Sequence, residues 1–410
     1  MAAIFAPKDC HVLMNLLCKE ATGQNAEIQI VDTSSFVSVG ETILATGTEN
    51  TLNAVAMLLG RMLIAARPYK GKLDLIDAIN TGVYTSRLLK TSFYTDGALA
   101  AGNYNTDLYT NLADEYDNGT NEGQSTKSMW VQNPPLPLQM NFGGRSVWQD
   151  SLTIYEYQIK QAFRNESEFG QFWGGVLTEK ENDIELQKEA YRRMAIVSRI
   201  IAEIGAGKGV NMTPLFNQRY GTSYTSEQLR TTYLKDFLAF MVVEMKEVIE
   251  KLTYKSVLYH WSPDAPDGSD RVITRHSPKD KQKLVLYAPL IREAEAFVLP
   301  EIFHDDYLKP ENGERVEYWQ NINEPETVKG TAKLPNGMVE NTTSVTVDNN
   351  PYIIGALFDT DALMLDFQLD DASTTPKEAR KHYYNIWWSF ARNVISDMTE
   401  NFVVFYMADE

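Results

Sequence analysis

The chain has few of the residues from which most catalytic and cofactor sites are built. Its 410 residues include two cysteines and five histidines. Cys10 and Cys18 sit near the amino terminus with no CxxC pair or partner cluster, so neither a disulfide framework nor a zinc site organises the fold. His11, His260, His276, His304 and His382 never fall at HxxxH or HExxH spacing, which excludes a helical metal pair. No apolar run reaches the roughly 18 residues of a membrane-spanning candidate. The start MAAIFAPKDCHV lacks the basic-then-apolar pattern of a secretory signal. A cytoplasmic setting is expected, where sequons such as Asn165-Glu-Ser and Asn341-Thr-Thr carry no glycan. Lys and Arg form no cluster, and 55 acidic against 38 basic residues give a formal charge of −17. A reader of nucleic-acid sequence needs the opposite balance, because its affinity rests on cations against phosphate. Internal repeats and low-complexity tracts are absent as well.

Motifs that carry chemistry also fail. Gly205-Ala-Gly-Lys208-Gly resembles a phosphate loop, yet Ala202 and Gly209 stand where GxxxxGK[ST] needs glycine and a hydroxyl, and a helix precedes it. It reads as a helix-ending turn. His304, Asp305 and Asp306 are consecutive, so on a helix they point in different directions. Asp264, Asp267 and Asp270 in DAPDGSD offer oxygen ligands for calcium, but at a spacing foreign to an EF-hand and equally typical of a turn. Carboxylate pairs such as Glu293 with Glu295, or Asp370 with Asp371, carry no weight among 55 acids. No serine sits in a GxSxG elbow. No catalytic, cofactor-binding or metal-binding residue is assigned.

What is present is a series of well-formed elements. Residues 1–47 read as an arm, and Thr48 and Asn50 cap a helix over 48–66 that presents Leu52, Val55, Leu59, Met62 and Leu63 before Pro68 stops it. From about Lys72 to Pro137 the chain turns rich in Tyr, Thr, Asn and Gly, too long for a simple connection and too aromatic for disorder. Aromatic residues on an extended arm are interface material. VWQDSLTIYEYQIKQAF fits strand or helix, and Ser167 to Gly175 a helical turn. A long helix then begins near Asn182, with Leu186, Ala190, Met194, Val197, Ile201 and Ile204 on one stripe and Gly205 closing it. At 1.5 Å per residue it runs ~33 Å. Thr225 and Gln228 make a capping box for a second helix with Leu234, Leu238, Met241, Met245, Val248 and Leu252 in line. These helices are expected to cover a sheet of SVLYHW (256–261), KLVLYA (283–288) and the carboxy-terminal strands. LIREAEAFVLPEIF gives a shorter helix broken at Pro300, and 305–350 a polar, turn-rich insertion with strand fragments such as SVTVD.

The carboxy terminus is the densest strand-forming region. YIIGALFDTDALMLDF gives two strands around Asp359, Thr360 and Asp361; a polar loop from Asp370 to Arg380 precedes HYYNIWWSFARNVI and the final run FVVFYM. A terminus this apolar must be buried.

These segments, LFDTDALML, DDASTTPKEA, HYYNIWWSFA and FVVFYMA, resemble the end of the major capsid proteins of small tailed bacteriophages, the phi-twenty-nine-like and picovirus group of podophages. SLTIYEYQIKQAFRNESEFGQFW before the long helix is a weaker echo of the same family. The resemblance implies an α+β chain of the Hong Kong ninety-seven capsid fold. It implies an N-arm (1–47), an N-terminal helix (48–66), an extended E-loop with flanking strands (67–150), a P-domain with its spine helix (151–207), an A-domain (208–350) and strands returning to the P-domain (351–410). It also implies a structural subunit, not an enzyme, that self-assembles with copies of itself in pentamers and hexamers into the icosahedral head. That head would enclose double-stranded DNA without sequence-specific binding, with portal, scaffold or head-fibre proteins as further partners, in the virion, after assembly in the host bacterial cytoplasm. Tyr84, Arg87, Tyr94, Tyr104, Tyr109 and Tyr116 are the expected inter-subunit contacts, chosen for aromatic or arginine character on the E-loop. An encapsulin-like shell protein and an acidic carboxylate-dependent hydrolase are the alternatives.

Overall fold

A computed structural model describes residues 71–73, 76, 87–95, 134–143, 146–158, 166–297, 313–339 and 343–409. The expected arm over 1–47, the helix over 48–66, Cys10, Cys18 and His304 to Asp306 lie outside the described residues.

The carboxy-terminal runs form the centre of the body. Strand β9 is Tyr352–Asp359, β10 is Leu363–Thr374, β11 is Tyr383–Ser396 and β12 is Phe402–Met407. Strand β12 lies inside a five-stranded sheet. It runs parallel to the short β4 (Val210–Asn211) and antiparallel to β9. Strand β5 (Gln282–Tyr287) pairs with the other edge of β9 and parallel with β6 (Gly313–Val316). Successive strand residues face opposite sides, and Phe402, Val403, Val404 and Phe405 are all fully buried. This strand is therefore covered on both faces. Gly355 permits the close approach of β5, since a Cβ there would lie 2.8 Å from a Leu286 methyl and 2.9 Å from the Val285 carbonyl oxygen.

The longer strands make a second sheet. Strand β11 pairs antiparallel with β10 on one side and with β3 (Ser146–Tyr155) on the other. Alternation decides which side chains enter: Tyr384, Ile386, Trp388 and Phe390 are buried, and Phe390 stacks on Trp148 at 4.9 Å. The loop expected over Asp370 to Arg380 begins later, because β10 continues to Thr374 through a register shift between Leu369 and Asp371.

Helix α1 (Glu166–Gly205) has 40 residues, ~60 Å at 1.5 Å per residue. It begins at Glu166, not near Asn182, and absorbs the turn expected over Ser167 to Gly175. A glycine in a helix weakens it by about 1 kcal/mol without ending it, and the backbone runs helically through Gly174 and Gly175. The helix ends at Gly205 as expected, and the turn that stops it follows directly. Gly207 takes φ +70, its N–H donates to the Ile204 carbonyl at 3.0 Å, and Lys208 N–H donates to the Glu203 carbonyl at 2.9 Å. That pair of bonds is a Schellman stop with Gly207 in the left-handed position. Gly205 is small for a different reason: a Cβ there would meet Val345 at 2.4 Å.

The remaining helices are α2 (Met212–Tyr220), α3 (Ser226–Thr231), α4 (Leu234–Lys251) and α5 (Ala288–Phe297). The capping box is present, with Gln228 N–H donating to Thr225 Oγ1 at 3.3 Å and Thr225 N–H to Gln228 Oε1 at 3.0 Å. It starts the short α3, and the apolar stripe belongs to the separate α4, which buries Phe237, Leu238, Met241, Met245 and Val248. SVLYHW forms no strand: only Ser256 makes a bridge, to Arg275. The segment is held instead by His260, whose buried ring places Nε2 2.7 Å from the Ile273 carbonyl and Nδ1 3.1 Å from the Asn401 side-chain amide. Burial holds this imidazole down to about 4, so the ring is neutral. The insertion over 305–350 is less polar in place than in sequence: Val316, Trp319, Val328, Ala332 and Val347 enter the main core. Strands β7 (Gly330–Lys333) and β8 (Ser344–Val347) pair beside α1.

Candidate assembly interface

The stretch between the expected helix and β3 contributes two described strands. Strand β1 (Arg87–Phe93) pairs antiparallel with β2 (Pro137–Gly143) over their whole lengths. Residues 94–136 connect them. The sequence RLLKTSF alternates, so each side of this ribbon has its own chemistry. Lys90 and Ser92 turn toward the body. Leu89 and Phe93 turn away and are 58% and 56% exposed. Strand β2 follows the ordinary pattern, with Leu138, Met140 and Phe142 half-buried on the inward side and Gln139 and Asn141 exposed, so β1 alone turns large apolar side chains outward.

Polar bonds hold the inward side. Lys90 Nζ donates to Glu400 Oε1 at 2.5 Å and to Asp397 Oδ2. Arg275 lies on the opposite flank, with Nε 2.8 Å from the same Glu400 oxygen and Nη2 donating to Ser92 Oγ at 2.6 Å. Asp397 is completed by Thr399, whose N–H and hydroxyl both donate to Oδ1 at 2.8 Å. Burial pushes the Glu400 carboxyl up, and Arg275 and Lys90 pull it back. The ribbon's end is tied by backbone: Thr95 N–H donates to the Val272 carbonyl at 2.8 Å, and Val272 N–H returns the bond at 2.9 Å. Tyr94 closes a small apolar group with Ala265 and Ile273, and its hydroxyl donates to the Asp264 carbonyl at 3.2 Å.

Helix α1 also turns large apolar side chains outward. Its expected stripe is only partly inside, for Leu186 and Met194 are 59% and 53% exposed. The buried side instead includes Arg192, Arg199 and Glu203 beside Ile196 and Ile200. Pairing makes this tolerable: Arg199 Nη2 lies 2.8 Å from Glu203 Oε1, and the guanidinium stands over the Phe402 ring at 4.9 Å. Burial raises the Glu203 carboxyl to about 7 despite Arg199. On the outer side, Leu186, Ala190, Arg193, Met194, Val197 and Tyr318 line a groove of about 630 Å³.

The residues expected from sequence fare unevenly. Tyr84, Tyr104, Tyr109 and Tyr116 lie outside the described residues. Arg87 opens β1, its backbone opposite Gly143. Tyr94 is 7% exposed and packs inside its own chain. Leu89 and Phe93, exposed on β1, are not among the expected residues, although period-two reading of RLLKTSF separates them from Lys90 and Ser92. DAPDGSD is a turn in which Asp267 Oδ1 accepts from Ser269 N–H at 3.1 Å and from its hydroxyl at 2.6 Å. Among the described residues no group of three or more His, Cys, Asp or Glu is placed to hold a metal ion.

Two sheets, a 40-residue helix and a two-stranded ribbon make up an α+β subunit. The chain matches the Phi29-like phage major capsid protein model over residues 73–406, and it belongs to that family. It is accordingly a structural phage capsid protein and not an enzyme. The match sets aside the encapsulin-like and hydrolase alternatives. Its fold is similar to that in a capsid structure of Staphylococcus phage Andhra, with TM-score 0.50, 12% identity, and 85% of this chain and 86% of that chain covered. It is also similar to a chain in a structure of the head fiber and inner core protein of native bacteriophage P68, with TM-score 0.49, 12% identity, and 82% and 84% covered. No curated protein matches the chain by sequence.

Proposed function

We propose that copies of this chain join in pentamers and hexamers through the outward side of the β1–β2 ribbon, which meets the α1 groove of the next copy. The carrying observation is that each surface exposes two large apolar side chains in one subunit, Leu89 and Phe93 on the ribbon and Leu186 and Met194 on the helix. Such a contact is heterologous: each copy offers one surface and receives the other, so repetition closes rings. Individual contacts are weak and add through multivalency. In this reading 67–150 is the E-loop and its flanks, with Tyr84, Arg87, Tyr104, Tyr109 and Tyr116 as further contacts. The arm is 1–47, the N-terminal helix 48–66, the P-domain 151–207, the A-domain 208–350, and 351–410 the return. The shell encloses double-stranded DNA, and a net charge of −17 disfavours tight binding of that genome. Portal, scaffold and head-fibre proteins are its other partners, and assembly takes place in the host bacterial cytoplasm before the protein resides in the virion.

Phe93→Asp tests the reading. The variant is expected to keep its circular-dichroism spectrum and remain as small soluble species under electron microscopy. Normal shells from it would overturn the proposal.

A further inference from the structure

The charged cluster beneath the ribbon does something that an apolar contact would not. Ribbon and body are joined here by charge-assisted hydrogen bonds, which are directional and need particular partners. Lys90 comes from β1, Arg275 from the segment after His260, and Asp397 and Glu400 from the turn between β11 and β12. A single oxygen, Glu400 Oε1, is shared by Lys90 and Arg275. Behind it, Arg199 Nη2 donates to the Glu400 carbonyl at 3.4 Å, which links the turn to α1. Lys90 is 23% exposed at its side chain, whereas Asp397 is 1% and Glu400 11%, so the acids are fixed in the body and the ribbon brings the cation to them.

We infer that Lys90, Arg275 and Glu400 form an electrostatic latch that fixes the ribbon on the body, making Lys90 and Arg275 positioning residues for the outward Leu89–Phe93 face. This rests on the reading that the face meets a second copy. Apolar packing at the ribbon's end, around Tyr94, Ala265 and Ile273, supplies a pivot. Leu138, Met140 and Phe142 add half-buried apolar contact along β2, and the latch adds the directional bonds along β1. Its parts are far apart in sequence, 310 positions from Lys90 to Glu400, so it closes only when the body is complete.

Hydrogen exchange of the full chain tests this at the joint between ribbon and body, the reciprocal Thr95 and Val272 amides. Lys90→Met is expected to speed their exchange about ten-fold or more. The β12 amides of Val403 to Phe405 should stay at the wild-type rate, showing an intact core. Lys90→Arg, which keeps the charge, is expected to stay within about two-fold of wild type. Wild-type exchange in Lys90→Met would overturn the latch, as would equal acceleration in Lys90→Arg and Lys90→Met, since shape and not charge would then hold the joint. Shell yield is read separately. A fast-exchanging Lys90→Met that still forms shells at wild-type yield would keep the latch and overturn its role in placing the outward face. Normal exchange with lost shells would leave the contact reading standing and remove the latch.

Discussion

The five-stranded sheet and strand β1 of the ribbon follow opposite rules within one chain. In the sheet every side chain from Phe402 to Phe405 is buried, and Phe358 stacks on Phe402 at 5.1 Å. In the ribbon Lys90 and Ser92 point inward to carboxylate and guanidinium, and Leu89 and Phe93 point to solvent. The sheet is complete in one copy. On the proposed reading the exposed Leu89 and Phe93 are covered by another copy. Stability would then reside in the body and assembly at the exposed apolar side chains, and substitutions should separate the two.

Breaking the body should have the largest effect on stability. Arg199→Met leaves Glu203 buried without its cation, and equilibrium urea unfolding should show a loss of about 3–5 kcal/mol. Next is the pH dependence from Glu203. Its folded pKa of about 7 lies above the ordinary carboxyl value of 4.5, so the native state holds the extra proton between these values. The stabilisation is fully present below pH 4.5 and is lost as pH rises through 7, on the order of 1–3 kcal/mol. Glu203→Gln should remove that slope from a series of unfolding curves, and an unchanged slope would contradict the assignment. Gly355→Ala should cost about 1–3 kcal/mol by forcing β5 from β9, readable as a lowered Tm. Gly175→Ala tests the continuous α1 from the other direction. Nothing lies within 4 Å of an added Cβ there, so the chain should gain about 0.5–1 kcal/mol. Smallest on this scale is Phe93→Asp, within about 0.5 kcal/mol of wild type because the side chain is exposed, yet with the shell lost.

Much of the body was legible in the sequence because burial there follows periodicity. FVVFYM, KLVLYA and the alternation of HYYNIWWSFA announce strands, and Thr225 with Gln228 announces a helix start. SVLYHW carries the same strand signal and is overruled, because a buried neutral His260 bonded to Ile273 and Asn401 fixes an irregular path. The face of α1 was illegible for a related reason. Arg199 and Glu203 read as surface residues one at a time, and only their pairing allows both to be buried. The latch leaves no local trace, since Lys90, Arg275 and Glu400 meet through tertiary structure alone. Of the tyrosines named on that stretch, Tyr94 is the described one, and its side chain serves its own subunit.

The central claim is that ribbon and α1 groove meet between copies. With Cys10 and Cys18 changed to serine, cysteines at Leu89 or Phe93 combined with cysteines at Leu186 or Met194 can be oxidised in assembled shells. A disulfide forms only when Cα atoms come within roughly 7 Å. Non-reducing electrophoresis should show a ladder of covalent dimers and higher rings from at least one pair, and none from the single-cysteine controls. Assembled shells that yield only monomer from all four pairs would contradict the account.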